Sequence, residues 1–559
     1  MHAPHKPSAQ SQFSPFASQQ LFNFTDFDLP QRLVQGLGTF TSQLVAVVGI
    51  GFGDEGKGRT IPDAIQILRA ITGRKDIAGM VFKVNGGANS GHTVDGLKLN
   101  LLPGAVGDPL VPVLGIGRGV VADPLKFHWE GHALEQMGYN VFNRLLIDHR
   151  SMLSDITHRI LDKAQEAQRD VPRGSTGRGI SPAFSDEVGQ HVVYYGDLLS
   201  DKETFAAKMR ERIKHSEQLA RACNKVSPER WNQFFDELTA AEVKANKQST
   251  DAGYFSPQDF DLTRFRGKEP FTFDTEAIIE AYWEAGQRLG KQIGDIAQKV
   301  RECQANGQYV FGEFGQAYFL DKRHGFTPNV TASHTYTPEI FQSLNIPVQP
   351  IHVLGVCKGY DTKVGTHVFL TEIGEDHPLG TWLRKLEFGT TTGRQRMVGW
   401  FDAVERGHAL LHGGFHDMVI NKIDVLTQDP KLQPDWDGTL RICCGYKLPN
   451  GSVTREIPHL DEVRSASTPV YVDCPSWTED ISGVRSFDDL PENAKRYVAT
   501  LYAATVVSAY GTEEWVNKDL PRLRLIGVGP DSSQVILNAP NAARLMGLAN
   551  QEVFGALRG

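Results

Sequence analysis

Apolar residues in this chain come in short runs that end in glycine-rich turns, separated by longer stretches of helical periodicity. Val45–Val48 is such a run, and Pro62–Ile71 after it reads as a helix. Further short apolar runs, Met80–Asn85, Val113–Ile116, Tyr309–Phe311, Ile351–Val356 and Met418–Ile420, each lead into a polar or glycine-bearing segment. Continuous rather than alternating apolar runs are expected of strands buried on both faces. The pattern therefore predicts an α/β protein with a central, mostly parallel β-sheet flanked by helices. Ser200–Cys223 reads as a helix opened by a Ser200/Glu203 capping box. Thr275–Val300 reads as one long helix with Ile278, Tyr282, Leu289, Ile293 and Val300 on one face.

Two regions fall outside the pattern. Residues 1–43, rich in Gln, Ser, Pro and Phe, are expected as a flexible N-terminal arm, with 44–559 as the catalytic domain. Residues 225–272 read as an inserted polar segment, helical in part, whose main apolar points are Trp231, Phe234 and Phe235.

Composition narrows the function classes. The 559 residues carry a net charge of −8, which argues against a general nucleic-acid binder. No apolar run approaches bilayer length, and the first residues lack the layout of a secretory signal. Cys223, Cys303, Cys357, Cys443, Cys444 and Cys474 show neither metal-ligand spacing nor a disulfide framework, which fits a reducing, cytoplasmic setting.

The chemistry-bearing stretch is VAVVGIGFGDEGKGR, Val45–Arg59. Gly51–Lys57 fits G-x-x-x-x-G-K, a loop whose backbone cradles phosphate, but Gly58 stands where the hydroxyl residue of a P-loop normally binds Mg²⁺. Asp54 inside the loop offers a hard oxygen in its place and can also take a proton. Farther along, Asn421-Lys422-Ile423-Asp424 ends an apolar run in N-K-x-D. An aspartate there can accept from N1–H and the 2-amino group of guanine, a donor pair that adenine lacks. Together the two loops make GTP the leading nucleotide.

Four more segments hold polar residues that packing does not require. Asn89-Ser90-Gly91-His92-Thr93 sets a histidine between glycine turns, and Ser175-Thr176-Gly177-Arg178-Gly179 could give N–H and O–H donors to a phosphate. Gln316 and Thr331 flank an irregular stretch. Thr390–Arg396 carries Arg394 and Arg396, which can converge on carboxylates.

GDEGKG, GGANSGHT, STGRGISP, GQ with LDKRHGFTPNVT, GTTTGRQRMVGWFD, NKID and VGPD follow in the order found in adenylosuccinate synthetases, which the chain resembles from about Val45 onward. The resemblance implies GTP-dependent joining of L-aspartate to C6 of IMP through a 6-phosphoryl intermediate, with Mg²⁺, in a homodimer. It implies Asp54 as base at purine N1 and metal ligand, His92 as the acid at the transferring phosphoryl group, and Gln316 facing the 6-oxygen. Gly91 would be a carbonyl ligand to Mg²⁺. Gly53, Gly56, Lys57, Gly58, Lys422, Asp424 and Gly529 would hold GTP. Asn89, Thr176, Leu320, Thr331 and Val364 would hold the substrate nucleotide, and Thr392, Arg394 and Arg396 the aspartate. After STGRGISPAF, where that family is basic, this chain has Glu187, Gln190, His191 and Tyr194. Two alternatives stay open: a paralogue acting on another purine nucleotide or amine, and a GTP-binding regulator without ligase activity.

Overall fold

In the computed structural model, which describes residues 38–94, 96–364, 368–387 and 395–555, the run beginning at Leu44 is strand β1 (Leu44–Gly49), and all six of its residues are buried. Its side chains alternate between two cores: Val45 and Val47 point into one apolar cluster, Leu44, Ala46 and Val48 into the other. That two-sided burial is what the unbroken apolar run requires.

In chain order the central sheet also contains β2 (Ala78–Gly87), β3 (Leu114–Ala122), β4 (Leu145–Asp148), β5 (Met152–Leu153), β6 (Ile293–Gly294), β7 (Tyr309–Ala317), β8 (His352–Lys358), β9 (Asp417–Asn421), β10 (Arg522–Gly527) and β11 (Val535–Ile536). Their spatial order is β11-β10-β9-β8-β1-β7-β2-β3-β4-β6, with β5 beside β3. Every pairing is parallel except β10 with β11. β1 lies between β8 and β7, so the loop that leaves it opens at the middle of the carboxyl edge. The helix Lys57–Thr72 then returns across the Val45/Val47 face through Ile61, Ala64, Ile65 and Leu68. On the opposite face lies Glu492–Tyr510, which is buried without a break from Tyr497 to Val507.

Several sequence expectations are corrected. The expected helix Thr275–Val300 is two helices, Thr275–Arg288 and Ile296–Ala305, with β6 between them on the sheet edge. Leu289 and Gly290 leave the helix in a tight turn, and Asp295 restarts it by accepting from the N–H groups of Ala297 and Gln298. The helix expected from Ser200 is Lys202–Arg221, capped by Asp201, which accepts from Thr204 N. The Ser200 hydroxyl is instead bonded to Asp197 O at 2.6 Å, so no Ser200/Glu203 box forms.

Residues 225–272 contain the helix Pro228–Ala245, whose Trp231, Phe234 and Phe235 are at most 1% exposed and join the core of the Val45/Val47 face. The expected arm lies mostly outside the described residues. Its last residues pack down, with Phe40 buried against Tyr309, Phe311 and His352. All six cysteines are free and buried. Among the described residues no helix is long and apolar enough to cross a membrane.

Phe235→Ala is expected to cost about 3–5 kcal/mol, the range for a buried aromatic truncation. A denaturant titration should show the midpoint fall with little change in slope. A loss below about 1 kcal/mol would contradict the placement of this helix in the main core.

Candidate functional site

At the carboxyl edge the loops after β1, β2 and β7 enclose a cleft of about 350 Å³. Gly53, Asp54, Gly56, Lys57, Gly58, Asn89, Gly91, His92, Thr176, Gln316, Leu320, Thr331, Val364 and Arg396 all line it. Residues spread over more than three hundred positions of sequence thus meet where a parallel sheet places its ligands.

The loop after β1 is tightly specified. Asp54 adopts φ 64°, in the left-handed region that side chains rarely occupy, a strain of the kind that collects at ligand sites. Gly56, at φ 93°, is the N-cap of the helix, and a Cβ there would fall 2.8 Å from Asn421 Nδ2. That Asn421 amide donates to Glu55 O at 2.8 Å, tying the N-K-x-D loop to the phosphate loop across 366 residues. Gly58 is explained as well: a Cβ would come within 2.6 Å of His92 Cδ2. The hydroxyl residue of an ordinary P-loop is excluded because the histidine ring stands in its place.

Glu55, which the sequence reading passed over, is buried and accepts from Gly53 N at 2.6 Å and from Lys57 Nζ at 2.8 Å. Burial alone would raise its pKa, but Lys57 outweighs that and lowers it. Lys57 is thus held in the loop by an internal counter-charge. Asp54 is paired across the cleft with Arg396, 3.0 Å from Oδ2 to Nη1. Thr392 and Arg394 lie outside the described residues.

His92 stands over a buried ion pair that the sequence reading also missed, Lys83–Glu313, at 2.5 Å between β2 and β7. Burial first, and Lys83 second, push the His92 pKa down to about 4, so the imidazole is neutral at pH 7. Its Nδ1 is 3.3 Å from Lys83 Nζ and 3.1 Å from Ser90 O. Bonding to Ser90 O needs the proton on Nδ1, and accepting from Lys83 needs it on Nε2, so the two contacts belong to the two neutral tautomers. Nε2 is 3.4 Å from Glu313 without hydrogen-bond geometry. Gln316 Oε1 accepts from Asn85 at 3.2 Å, which fixes the amide and leaves Nε2 buried with no protein partner. Asn89 Oδ1 is likewise unpartnered among the described residues. Three buried polar atoms on one cleft wall, each without a partner, mark a place where a polar ligand supplies the missing bonds.

The loop Ser175–Gly179 spends part of its donors internally. The N–H groups of Ser175, Gly177 and Gly179 bond to Glu166, the Ser175 hydroxyl and Asp162 at 3.2, 3.2 and 3.0 Å, while Thr176 lines the cleft. Arg178 turns away from the cleft to the fully buried Glu242 of helix Pro228–Ala245, which also takes Arg159 at 2.8 Å and Lys126 at 3.3 Å. The helix in the 225–272 region therefore anchors this loop, a role its polar sequence did not reveal.

Asp424 lines a second recess of about 400 Å³ with Trp382, Thr427, Gln428 and Asp480, and burial raises its pKa. Lys422, at φ 58°, reaches Glu387 at 2.8 Å, and Glu387 also holds Lys358 at 3.0 Å. Gly529 lines neither recess; its carbonyl accepts at 2.6 Å from Arg59, which lines the first cleft. Among the described residues no cluster of three metal-ligating side chains occurs. A Mg²⁺ that is held by one carboxylate, a backbone carbonyl and substrate phosphates needs none, so Asp54 and Gly91 fit such an ion.

A glycine-rich loop after β1, a second recess after β9 and a cleft lined by unpartnered polar atoms are the layout of an α/β enzyme that takes its ligands at the carboxyl edge of the sheet. The family model for adenylosuccinate synthetase matches residues 46–261 and 257–512. The adenylosuccinate synthetase of Bacillus cereus (strain ZK / E33L) is 32% identical over 498 residues, covering 88% of this chain and 97% of the relative. That of Staphylococcus epidermidis is 31% identical over 503 residues, covering 88% and 98%. The structure of fully ligated adenylosuccinate synthetase from Plasmodium falciparum superposes with a TM-score of 0.70 at 25% identity, covering 89% of this chain and all of that one. The chain belongs to the adenylosuccinate synthetase family, and it is a GTP-dependent ligase of that type.

Glu313→Gln should cost about 3–5 kcal/mol at neutral pH, because Lys83 would be left buried without its counter-charge. Burial raises the Glu313 pKa, but Lys83 and His92 outweigh it and hold the group at about 2, below the ordinary 4.5. Its contribution is therefore complete above pH 4.5 and is lost as pH falls toward 2. Unfolding midpoints of both proteins should differ by a constant amount from pH 5.5 to 8 and converge under acid. A gap that instead widened on acidification would contradict the assignment.

Proposed function

We propose that this enzyme joins L-aspartate to C6 of IMP, giving adenylosuccinate, GDP and phosphate. The observation that carries the reading is the convergence of Asp54, His92 and Gln316 on one cleft, with Nε2 of both His92 and Gln316 lacking a hydrogen-bond partner among the described residues.

A purine 6-oxygen is a poor nucleophile until N1 loses its proton, and it is a poor leaving group from C6. Asp54 accepts the N1 proton, and O6 then attacks the γ-phosphorus of GTP, breaking the bond to the β-phosphate oxygen. The neutral His92 donates from Nε2 to the transferring phosphoryl group, whose negative charge strengthens that bond. Gln316 Nε2 donates to O6 and orients the base. Lys57 lies against the GTP phosphates, and Asp54 and Gly91 would hold a Mg²⁺, which would supply further neutralisation of phosphate charge. The amine of aspartate adds at C6 and the C6–O bond breaks, releasing phosphate. Arg396, with Thr392 and Arg394, receives the aspartate carboxylates, and its pairing with Asp54 gives it a ready carboxylate geometry. Asn89, Thr176, Thr331, Leu320 and Val364 hold the substrate nucleotide. Gly53, Gly56, Gly58, Lys422, Asp424 and Gly529 hold GTP, Asp424 reading the guanine edge. A homodimer working in the cytoplasm completes the reading.

Purified protein with GTP, Mg²⁺ and L-aspartate, offered IMP, dIMP, inosine, GMP and dGMP, should give adenylosuccinate from IMP by mass spectrometry. Asp54→Ala should lower kcat by about 10²–10⁴-fold, the scale of general-base catalysis. Product formed solely from another panel member would replace IMP as the substrate.

Asp424→Asn reverses the hydrogen-bond pattern offered to the base, since an amide N–H₂ donates where the carboxylate accepted. The variant should lose about 100-fold or more in kcat/KM for GTP and gain use of xanthosine triphosphate, whose 2-oxo group accepts. Unchanged GTP kinetics would remove Asp424 from the base site.

A further inference from the structure

We infer that Arg173, backed by Arg169, receives the 5′-phosphate of the substrate nucleotide, and so fixes the charged end of that substrate. The inference rests on the reading of the cleft as a purine nucleotide site.

Both arginines line the same cleft as Asn89, Thr176 and Thr331. Part of the loop that carries Thr176 is spent internally, because the N–H groups of Gly174 and Ser175 bind Glu166 and the Ser175 hydroxyl donates to Asp162 at 2.5 Å, which leaves the Thr176 hydroxyl to an anion. Asp162 and Glu166 are themselves cleft residues, so a dianion arriving here meets two carboxylates. Cations must balance them. The segment 187–194 does not: Glu187 and Gln190 are exposed, and the His191 ring stacks on His215 at 3.8 Å.

Arg173 is the group placed to do so. Among the described residues no carboxylate lies within ion-pair distance of its guanidinium, and Arg169 has only Glu166 at 3.8 Å. Partial burial, and after it the charge of Arg169, lower the Arg173 pKa. Two guanidiniums that repel each other on one wall gain most from an anion between them, and their planar N–H forks match the oxygens of phosphate. The Thr176 hydroxyl stands three residues along the same loop to complete the contact. Arg396, the other cleft arginine near substrate, is already engaged with Asp54.

The test compares Arg173→Ala, Arg173→Lys and Arg169→Gln with wild type, taking Arg221→Ala, an exposed helix position, as the control for lost charge. Titration calorimetry with IMP and with inosine separates the phosphate from the rest of the nucleotide. Arg173→Ala should weaken IMP by about 10- to 100-fold, the scale of one charge-assisted contact, and leave inosine within about twofold. Arg173→Lys should recover part of the loss, and Arg169→Gln should show a smaller one. In turnover, KM for IMP should rise while KM for GTP stays at the wild-type value. Arg173 is exposed, so thermal melts of the variants should match wild type. Equal losses for IMP and inosine, or none for either, would overturn the assignment while leaving ligase activity on IMP intact. A wild type that bound no nucleoside 5′-monophosphate would overturn the nucleotide reading and this inference together.

Discussion

A parallel sheet covered on both faces leaves one place for polar chemistry, the loops beyond the carboxyl ends of its strands, and the site obeys that constraint throughout. β1 sits between β8 and β7 with every residue buried, so Asp54 and Lys57 can appear only after Gly49. Asn89 and His92 follow β2, Gln316 ends β7, and Lys422 and Asp424 follow β9. The hydrogen bond from Asn421 to Glu55 O then fixes two of those loops against each other, and Gly56 must be glycine for the amide to approach. A larger residue at either place would move the phosphate loop relative to the base-reading loop, although both strands stayed paired.

The same constraint accounts for the buried charges. Lys83 and Glu313 are register partners midway along β2 and β7, and Glu313 lines the cleft. Their pairing does more than satisfy two ions, since Lys83 also helps to keep His92 neutral, and a neutral ring can be a donor without adding a repelling proton to its surroundings. Gly58 belongs to that arrangement, because the space a serine or threonine would fill belongs to the imidazole. What looked in the sequence like a defective P-loop is a loop built to admit a histidine from the segment that follows β2.

Much of the fold was legible because its signals are local. Short apolar runs with glycine turns identify buried strands, and Gly51–Lys57 and Asn421–Asp424 carry their backbone requirements in their residue types. The parts that stayed hidden depend on partners distant in sequence. Glu242 reads as an ordinary helix-surface glutamate until Lys126, Arg159 and Arg178 are found around it. The break at Leu289–Asp295 could not be seen in the periodicity, which runs on through it, because the interruption comes from the pairing of Ile293 and Gly294 with β4. The helix Glu492–Tyr510 gave no amphipathic signal for the opposite reason, being buried nearly all round.

The loop Gly174–Gly179 shows how motif and geometry can part. Its glycines and hydroxyls have the composition of an anion cradle, yet Asp162 and Glu166 take the N–H groups of Gly174, Ser175 and Gly179 and the Ser175 hydroxyl, so its chemistry is set in part by the helix before it. A backbone cradle and a side-chain clamp differ in what evolution can do with them. Donors supplied by main-chain N–H groups persist through side-chain changes, whereas a clamp made of arginines can be relocated one residue at a time. With the cradle closed in part by carboxylates and the segment 187–194 bearing Glu187 and Gln190, the positive charge in this wall of the cleft sits on Arg169 and Arg173. The carboxylate, histidine and glutamine of the cleft sit instead where the strand ends put them.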